Sequence, residues 1–133
     1  MTFVLPLVGL IIPFFCWVIE IILPYPYIIE ELGKAVFIFF VWKFPLKSTK
    51  IKLTILMAVF FSFSESVFYL FKLSFSGDLS TFFLRLLLTT LLHIITSLII
   101  LLPTLKNRKL LLPGFLLAVV IHYLYNYLVT ALL

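Results

Sequence analysis

Long apolar runs follow one another along most of the chain, separated by short clusters of prolines or of basic residues. A helix that crosses a bilayer needs about 20 mostly apolar residues, and several runs approach that length. The runs lack the strict apolar–polar alternation that the strands of a membrane β-barrel show. The pattern predicts an all-α fold, a polytopic transmembrane bundle of about five helices forming one domain over residues 1–133. The helices are predicted at residues 3–23, 27–43, 51–71, 81–102 and 110–133.

The composition supports lipid as the solvent for most of the surface. The chain is 65% hydrophobic and only 11% charged, and its mean hydropathy is +1.32. A water-soluble domain of this size could not cover its surface with so few charges. The N-terminus lacks the basic segment and the cleavage site of a signal peptide, so we expect the first run to remain as a membrane helix. The single cysteine, Cys16, excludes an intrachain disulfide.

Basic residues cluster in two of the predicted loops, whereas the first loop contains neither Lys nor Arg. Loops rich in Lys and Arg stay in the cytoplasm, which predicts a cytoplasmic N-terminus and an external C-terminus. Topology therefore accounts for the net charge of +5, and no nucleic-acid partner is expected. The clusters are Lys43, Lys47, Lys50 and Lys52 in the second loop and Lys106, Arg108 and Lys109 in the fourth.

Ionisable side chains also lie inside the predicted helices, where each costs about 3 kcal/mol to insert and is a functional candidate by default. With a rise of about 1.5 Å per residue, antiparallel helices place these groups between the membrane centre and one common surface. Glu30 and Lys34 are spaced i and i+4, which favours an ion pair. Any one group alone is explained by a salt bridge or an interhelical hydrogen bond, but together they have acid–base capacity. The candidates are Glu30, Glu31, Lys34, Glu65, His93, His122 and the uncharged Asn126.

Four segments, in this order along the chain, resemble the motifs of a known family. Glu30-Glu31-Leu32-Gly33-Lys34 resembles the Glu-Glu-x-x-Lys motif of PrsW-type intramembrane proteases, and Phe61-Ser62-Phe63-Ser64-Glu65 resembles their Phe-x-x-x-Glu motif. The segments that begin at His93 and His122 resemble the two His motifs of the wider superfamily, which includes the type II CAAX proteases and YhfC-type proteins. CAAX proteases carry Glu-Glu-x-x-x-Arg and Phe-x-x-x-His instead, so the resemblance favours the PrsW and YhfC side. Ser97 leaves the choice between those two open.

This resemblance implies a glutamate-dependent peptidase in the plasma membrane of a prokaryote, with a membrane protein or peptide as substrate. It implies no required metal and no other cofactor. Glu30 would be the general base that activates water, and Glu31 or Lys34 would hold it in place.

The resemblance also implies roles for the remaining candidates. Glu65 occupies the position at which CAAX proteases carry a water-orienting His. His122 and Asn126 would stabilise the oxyanion, and His93 would complete the site.

Three other interpretations remain open at this point. Two His and the nearby Glu residues could ligate zinc, although the sequence lacks a local His-Glu-x-x-His motif. A non-enzymatic scaffold is a second possibility, because the superfamily includes a γ-secretase subunit that keeps the His residues. Intramembrane Glu and His also serve proton relays, so a proton-coupled transporter is a third.

Overall fold

The computed structural model describes residues 4–72 and 79–132, and this part of the chain is almost entirely helical, without strands. The predicted all-α fold with about five helices is confirmed, whereas the ends at Phe3 and Leu133 lie outside the described residues. The single domain over residues 1–133 stays a prediction. The α-helices are α1 (Ile12–Glu20), α2 (Pro26–Val41), α3 (Lys47–Lys72), α4 (Leu79–Lys106) and α5 (Leu111–Leu132), with 3₁₀ helices at Leu5–Leu10 and Arg108–Leu110.

Three of these helices, α3, α4 and α5, are long and apolar enough to cross a membrane. Their qualifying stretches are Lys47–Phe68, Phe82–Lys106 and Arg108–Val129 among the described residues. Large apolar side chains cover the outside of the bundle, including Leu87, which is 57% exposed. Such a surface is stable only against lipid, so the chain is an integral membrane protein.

The first predicted helix, residues 3–23, is shorter in the structure, where one apolar helical stretch covers Leu5–Glu20. It consists of the 3₁₀ helix Leu5–Leu10 followed by α1, which has only nine residues. Pro6 and Pro13 each lie in the first turn of one of these segments. Proline has no N–H to donate. It is tolerated in the first turn of a helix, where backbone N–H groups have no intrahelical acceptor, so each proline begins a new segment. The whole stretch Leu5–Glu20 is still shorter than the roughly 20 residues that a span needs.

The short helix α2 lies in the middle of the bundle and contacts α1, α3, α4 and α5. It has 16 residues, and Pro26 lies in its first turn. One face is buried and carries both apolar residues, such as Ile38, and charged ones, such as Lys34. Because the other helices surround this face, its charged groups are shielded from lipid, which an isolated span could not achieve.

The packing of α4 against α5 depends on Gly114. A Cβ atom at this position would lie 2.9 Å from the Ile99 carbonyl oxygen and 3.1 Å from the Ile100 Cα. Both neighbours are backbone atoms, which cannot rotate aside as the end of a side chain can. The two helices therefore approach more closely at this point than any residue larger than Gly permits.

We expect Gly114→Val to lower the free energy of unfolding by about 1–3 kcal/mol, because the added methyl groups force α4 and α5 apart. Thermal unfolding of the purified protein in detergent measures the change. Leu116→Val, on an exposed position of the same helix, is the matched control. Equal stability of Gly114→Val and wild type would contradict the close contact.

The two basic loops lie at the same end of the bundle. Trp42, just after α2, donates its indole N–H to the Thr104 carbonyl oxygen near the end of α4, at 3.2 Å. Arg108, in the connection from α4 to α5, lies over the same indole ring. The cytoplasmic orientation of this end stays a prediction.

Candidate active site

The helix α2 contributes three charged side chains to the centre of the bundle. Glu30 is 7% exposed, and Glu31 and Lys34 are completely buried. They lie in the second and third turns after Pro26, on the face that α3, α4 and α5 cover. Charges at such positions persist only when other polar groups satisfy them.

Lys34 has three polar partners at its ammonium group. Its Nζ atom lies 2.5 Å from Glu31 Oε1, 2.8 Å from Thr96 Oγ1 and 3.0 Å from His93 Nδ1. An ammonium group has three donors and no acceptor, so these three partners satisfy it completely. The predicted Glu30–Lys34 pair is therefore wrong, because Lys34 pairs with Glu31 at i+3. His93 and Thr96 on α4 hold the Lys34 ammonium in a position from which it contacts Glu31.

The contact with Lys34 determines the proton position on His93. Because the ammonium donates to Nδ1, a neutral His93 carries its proton on Nε2. That nitrogen lies 2.6 Å from Glu65 Oε2 and donates to it. The His93 side chain is fully buried and packs against the Phe61 ring, whereas the Glu65 side chain is 34% exposed. The buried His93 ring thus fixes the partly exposed Glu65 carboxylate by a hydrogen bond.

His122 donates from the ring nitrogen, Nδ1, at which His93 accepts. Its Nδ1 lies 2.7 Å from Glu31 Oε1, an oxygen that accepts only, so Nδ1–H is the donor. Its Nε2 faces Glu30 Oε2 at 3.7 Å, which is beyond hydrogen-bond distance. Within residues 4–72 and 79–132, this Glu30 oxygen has no hydrogen-bond partner although it is buried. Glu31 Oε2 is likewise buried without a partner among the described residues, so the site contains two carboxylate oxygens that no protein donor satisfies.

The structure brings six of the seven predicted residues into one cluster that joins α2, α3, α4 and α5. Asn126 lies one turn beyond His122 on α5 and is half-buried. Its contribution to the site, like the catalytic role of the other six, stays a prediction. The six clustered residues are Glu30, Glu31, Lys34, Glu65, His93 and His122.

One member of the cluster, Thr96, is not among the residues predicted from the sequence. Its hydroxyl accepts from Lys34, so it completes the ammonium's set of partners. The only signal in the sequence was its i+3 spacing from His93, which puts both on one helix face. Ser97, at i+4, shares that face equally well, but its buried hydroxyl has no hydrogen-bond partner among the described residues.

One group of side chains has the composition of a metal site. Donor atoms of Glu30, Glu65 and His93 all lie within 4.8 Å of one another. Three protein ligands with one open position are typical of catalytic zinc.

The hydrogen bonds of this group do not fit a metal ion. The His93 nitrogen beside Glu65 is Nε2, which carries the proton in this network and has no free lone pair. A metal-bound His normally donates its other N–H to an acceptor, whereas His93 Nδ1 accepts from Lys34. His122 does have that donor arrangement, but in the described part of the chain it belongs to no group of three such donor atoms.

Comparison with known protein families matches most of the chain to a family model. The sequence model of a family described as PrsW family intramembrane metalloprotease matches residues 24–133. The match begins just before α2 and includes all seven predicted site residues. No curated protein and no solved structure is significantly similar to the chain.

Proposed function

Because the chain belongs to the PrsW family of intramembrane proteases, we propose that it hydrolyses peptide bonds with Glu30 as the base that activates water. The observation that carries this proposal is the buried Glu30 oxygen without a partner, 3.7 Å from His122 Nε2. A general base must lie within about 2.6–3.2 Å of the atom whose proton it takes. An oxygen that no protein donor satisfies can accept from a water molecule once one enters the site.

The other two carboxylates are less suited to this role. Glu31 Oε2 also lacks a hydrogen-bond partner within the described residues, but Glu31 Oε1 accepts from both Lys34 and His122, so the negative charge of this carboxylate is already stabilised by two donors. Glu65 accepts from His93 Nε2–H. Glu31 instead serves to position His122, and Glu65 orients the water that Glu30 activates.

The proposed reaction follows from these positions. Glu30 takes a proton from water as the water oxygen attacks the carbonyl carbon of the substrate. With a proton on Nε2 as well as Nδ1, His122 donates to the oxyanion of the tetrahedral intermediate, and Asn126 assists. The C–N bond then breaks, and Glu30 returns its proton to the leaving amine. A single oxyanion donor of this kind is worth about 10²–10³ in rate.

A membrane-embedded substrate needs a route to these groups, and Glu65 provides the most open side of the cluster. A small cleft of about 10 Å³, room for about one water molecule, adjoins it between α3 and α4. A peptide bond within a helix is shielded by its own hydrogen bonds, so the scissile segment must unwind before it reaches the cleft. The residues that line the cleft are Glu65, Ser66, Phe82, Arg85, Leu86 and Thr89.

The test of this function is proteolysis in vesicles that contain the full chain and a panel of single-span membrane proteins. New N-termini mapped by mass spectrometry should lie within or next to the membrane spans of the substrates. Absence of any new terminus across a broad panel would contradict the proposal.

The family description names a metal, and we expect cleavage to persist when metal is removed, because the hydrogen-bonded donor set does not fit an ion. Initial rates are compared after treatment with ortho-phenanthroline, with the non-chelating meta isomer as control. The two rates should agree within about twofold, far from the tenfold or greater losses that follow when a metal's ligation is disturbed. Loss of activity with the ortho isomer alone, restored by added zinc, would contradict the metal-free reaction.

A further inference from the structure

The end of the bundle opposite the α1–α2 connection carries a concentrated positive charge. Residues 42–52 and 104–110 contain seven basic residues and no Asp or Glu, a local formal charge of +7. The five acidic residues of the whole chain all lie in other segments. These basic residues are Lys43, Lys47, Lys50, Lys52, Lys106, Arg108 and Lys109.

Two of these cations meet on one indole ring. Lys50 Nζ lies 4.9 Å from the ring centroid of Trp42, and Arg108 Cζ lies 5.3 Å from it. Arg108 also lies 4.3 Å over the Phe39 ring. The indole is fixed in turn by its hydrogen bond to the Thr104 carbonyl oxygen. We name Phe39, Trp42, Lys50 and Arg108 the cation–aromatic cluster.

The cluster brings together two cations, one from α3 and one from the α4–α5 connection, whose charges repel each other. Attraction to the aromatic faces offsets only part of this repulsion, and no carboxylate of the chain lies in these loops to offset the rest. An anion bound between Lys50 and Arg108 would offset the remaining repulsion between these two cations. A guanidinium matches the paired oxygens of a phosphodiester, and an ammonium adds a second charge to the same group.

The apolar surroundings determine which anion fits. Phe39 is 42% exposed and the neighbouring Phe40 is 50% exposed, both on the outer surface of α2 just above the basic loops. A free phosphate ion gains nothing from contact with such an apolar surface, whereas the acyl chains of a phospholipid pack against it. We propose that the cation–aromatic cluster is a binding site for the phosphodiester of an anionic phospholipid. This site lies at the other end of α2 from Glu30 and is independent of the proposed catalysis.

The experiment uses Trp42 as its own reporter. Trp17→Phe removes the other of the two tryptophans, so emission comes from Trp42 alone. The full chain in a neutral detergent is titrated with phosphatidylglycerol and, separately, with phosphatidylcholine of the same acyl chains. We expect a saturable change in Trp42 emission with phosphatidylglycerol only, and no change with glycerol phosphate. An equal response to phosphatidylcholine, or no response to phosphatidylglycerol, would overturn the site.

Charge-matched variants separate a built site from a diffuse basic face. Lys50→Gln with Arg108→Gln removes both cations of the cluster, and Lys47→Gln with Lys109→Gln removes two exposed cations from the same loops. A cation at the surface contributes about fivefold to anionic-lipid affinity wherever it lies, so the control pair should weaken binding by at most about 25-fold. The first pair should weaken it several times more, because it also removes the direct contacts to the phosphodiester. Equal weakening by both pairs would overturn the proposal.

Discussion

Glu30→Gln should lose nearly all cleavage activity while the protein still folds and inserts. Glutamine keeps the shape of the side chain, but its amide oxygen cannot accept the proton of the attacking water. General base catalysis contributes about 10²–10⁴ in rate, and we expect a loss of that size in the initial rate of product formation. Folding should be unaffected, because the relevant Glu30 oxygen has no hydrogen bond to lose among the described residues.

The controls for this variant separate chemistry from structure. Glu30→Asp keeps the carboxylate but withdraws it by about 1 Å, which should cost roughly a hundredfold. Glu20→Gln makes the same carboxylate-to-amide change at the end of α1 and should leave cleavage within a few-fold of wild type. Full activity in Glu30→Gln, together with a stable but inactive Glu31→Gln, would reassign the base to Glu31.

Lys34→Met should destabilise the bundle by about 3–5 kcal/mol, the usual cost of breaking a buried ion pair from one side. The substitution leaves the Glu31 carboxylate completely buried with His122 as its remaining partner. It also removes the donor that determines the proton position on His93. The free energy of unfolding in mixed micelles measures the loss, and Lys47→Met at an exposed position is the matched control.

A double variant tests the origin of this loss. Adding Glu31→Gln to Lys34→Met removes the uncompensated charge, so we expect it to recover a large part of the lost stability. A strictly additive loss in the double variant would show that the two side chains do not form the buried pair. Wild-type stability of Lys34→Met would exclude the network altogether.

The sequence predicted the elements whose signal is local. Helices α3, α4 and α5 are predicted from the length and hydropathy of their own segments. A span must match the thickness of the hydrocarbon core whichever helices surround it. The break before α1 was missed although Pro13 is visible, because hydrophobicity continues across it and membrane helices often tolerate proline. Only the placement of Pro13 in a first turn shows that a new segment begins there.

The candidate residues were found because polar groups stand out in apolar runs, but their pairing depends on tertiary structure. Spacing alone favoured Glu30 as the partner of Lys34. The actual choice of Glu31 depends on His93 and Thr96, which reach α2 from a helix about 60 residues away in sequence. The opposite proton positions on His93 and His122 follow from the same contacts and could not be derived from spacing.

The polar cluster has a consequence for how this protein can change in evolution. Lipid supplies little driving force for helices to associate, so interhelical hydrogen bonds and close packing must hold the bundle together. Such bonds join α2 to α4 through Lys34 and His93, and α2 to α5 through Glu31 and His122. Glu65 adds α3 through its bond to His93. A descendant that abandoned proteolysis would be free to replace Glu30 first. It would have to keep the lysine and its partners, so an inactive relative should still carry most of the motif of an active one.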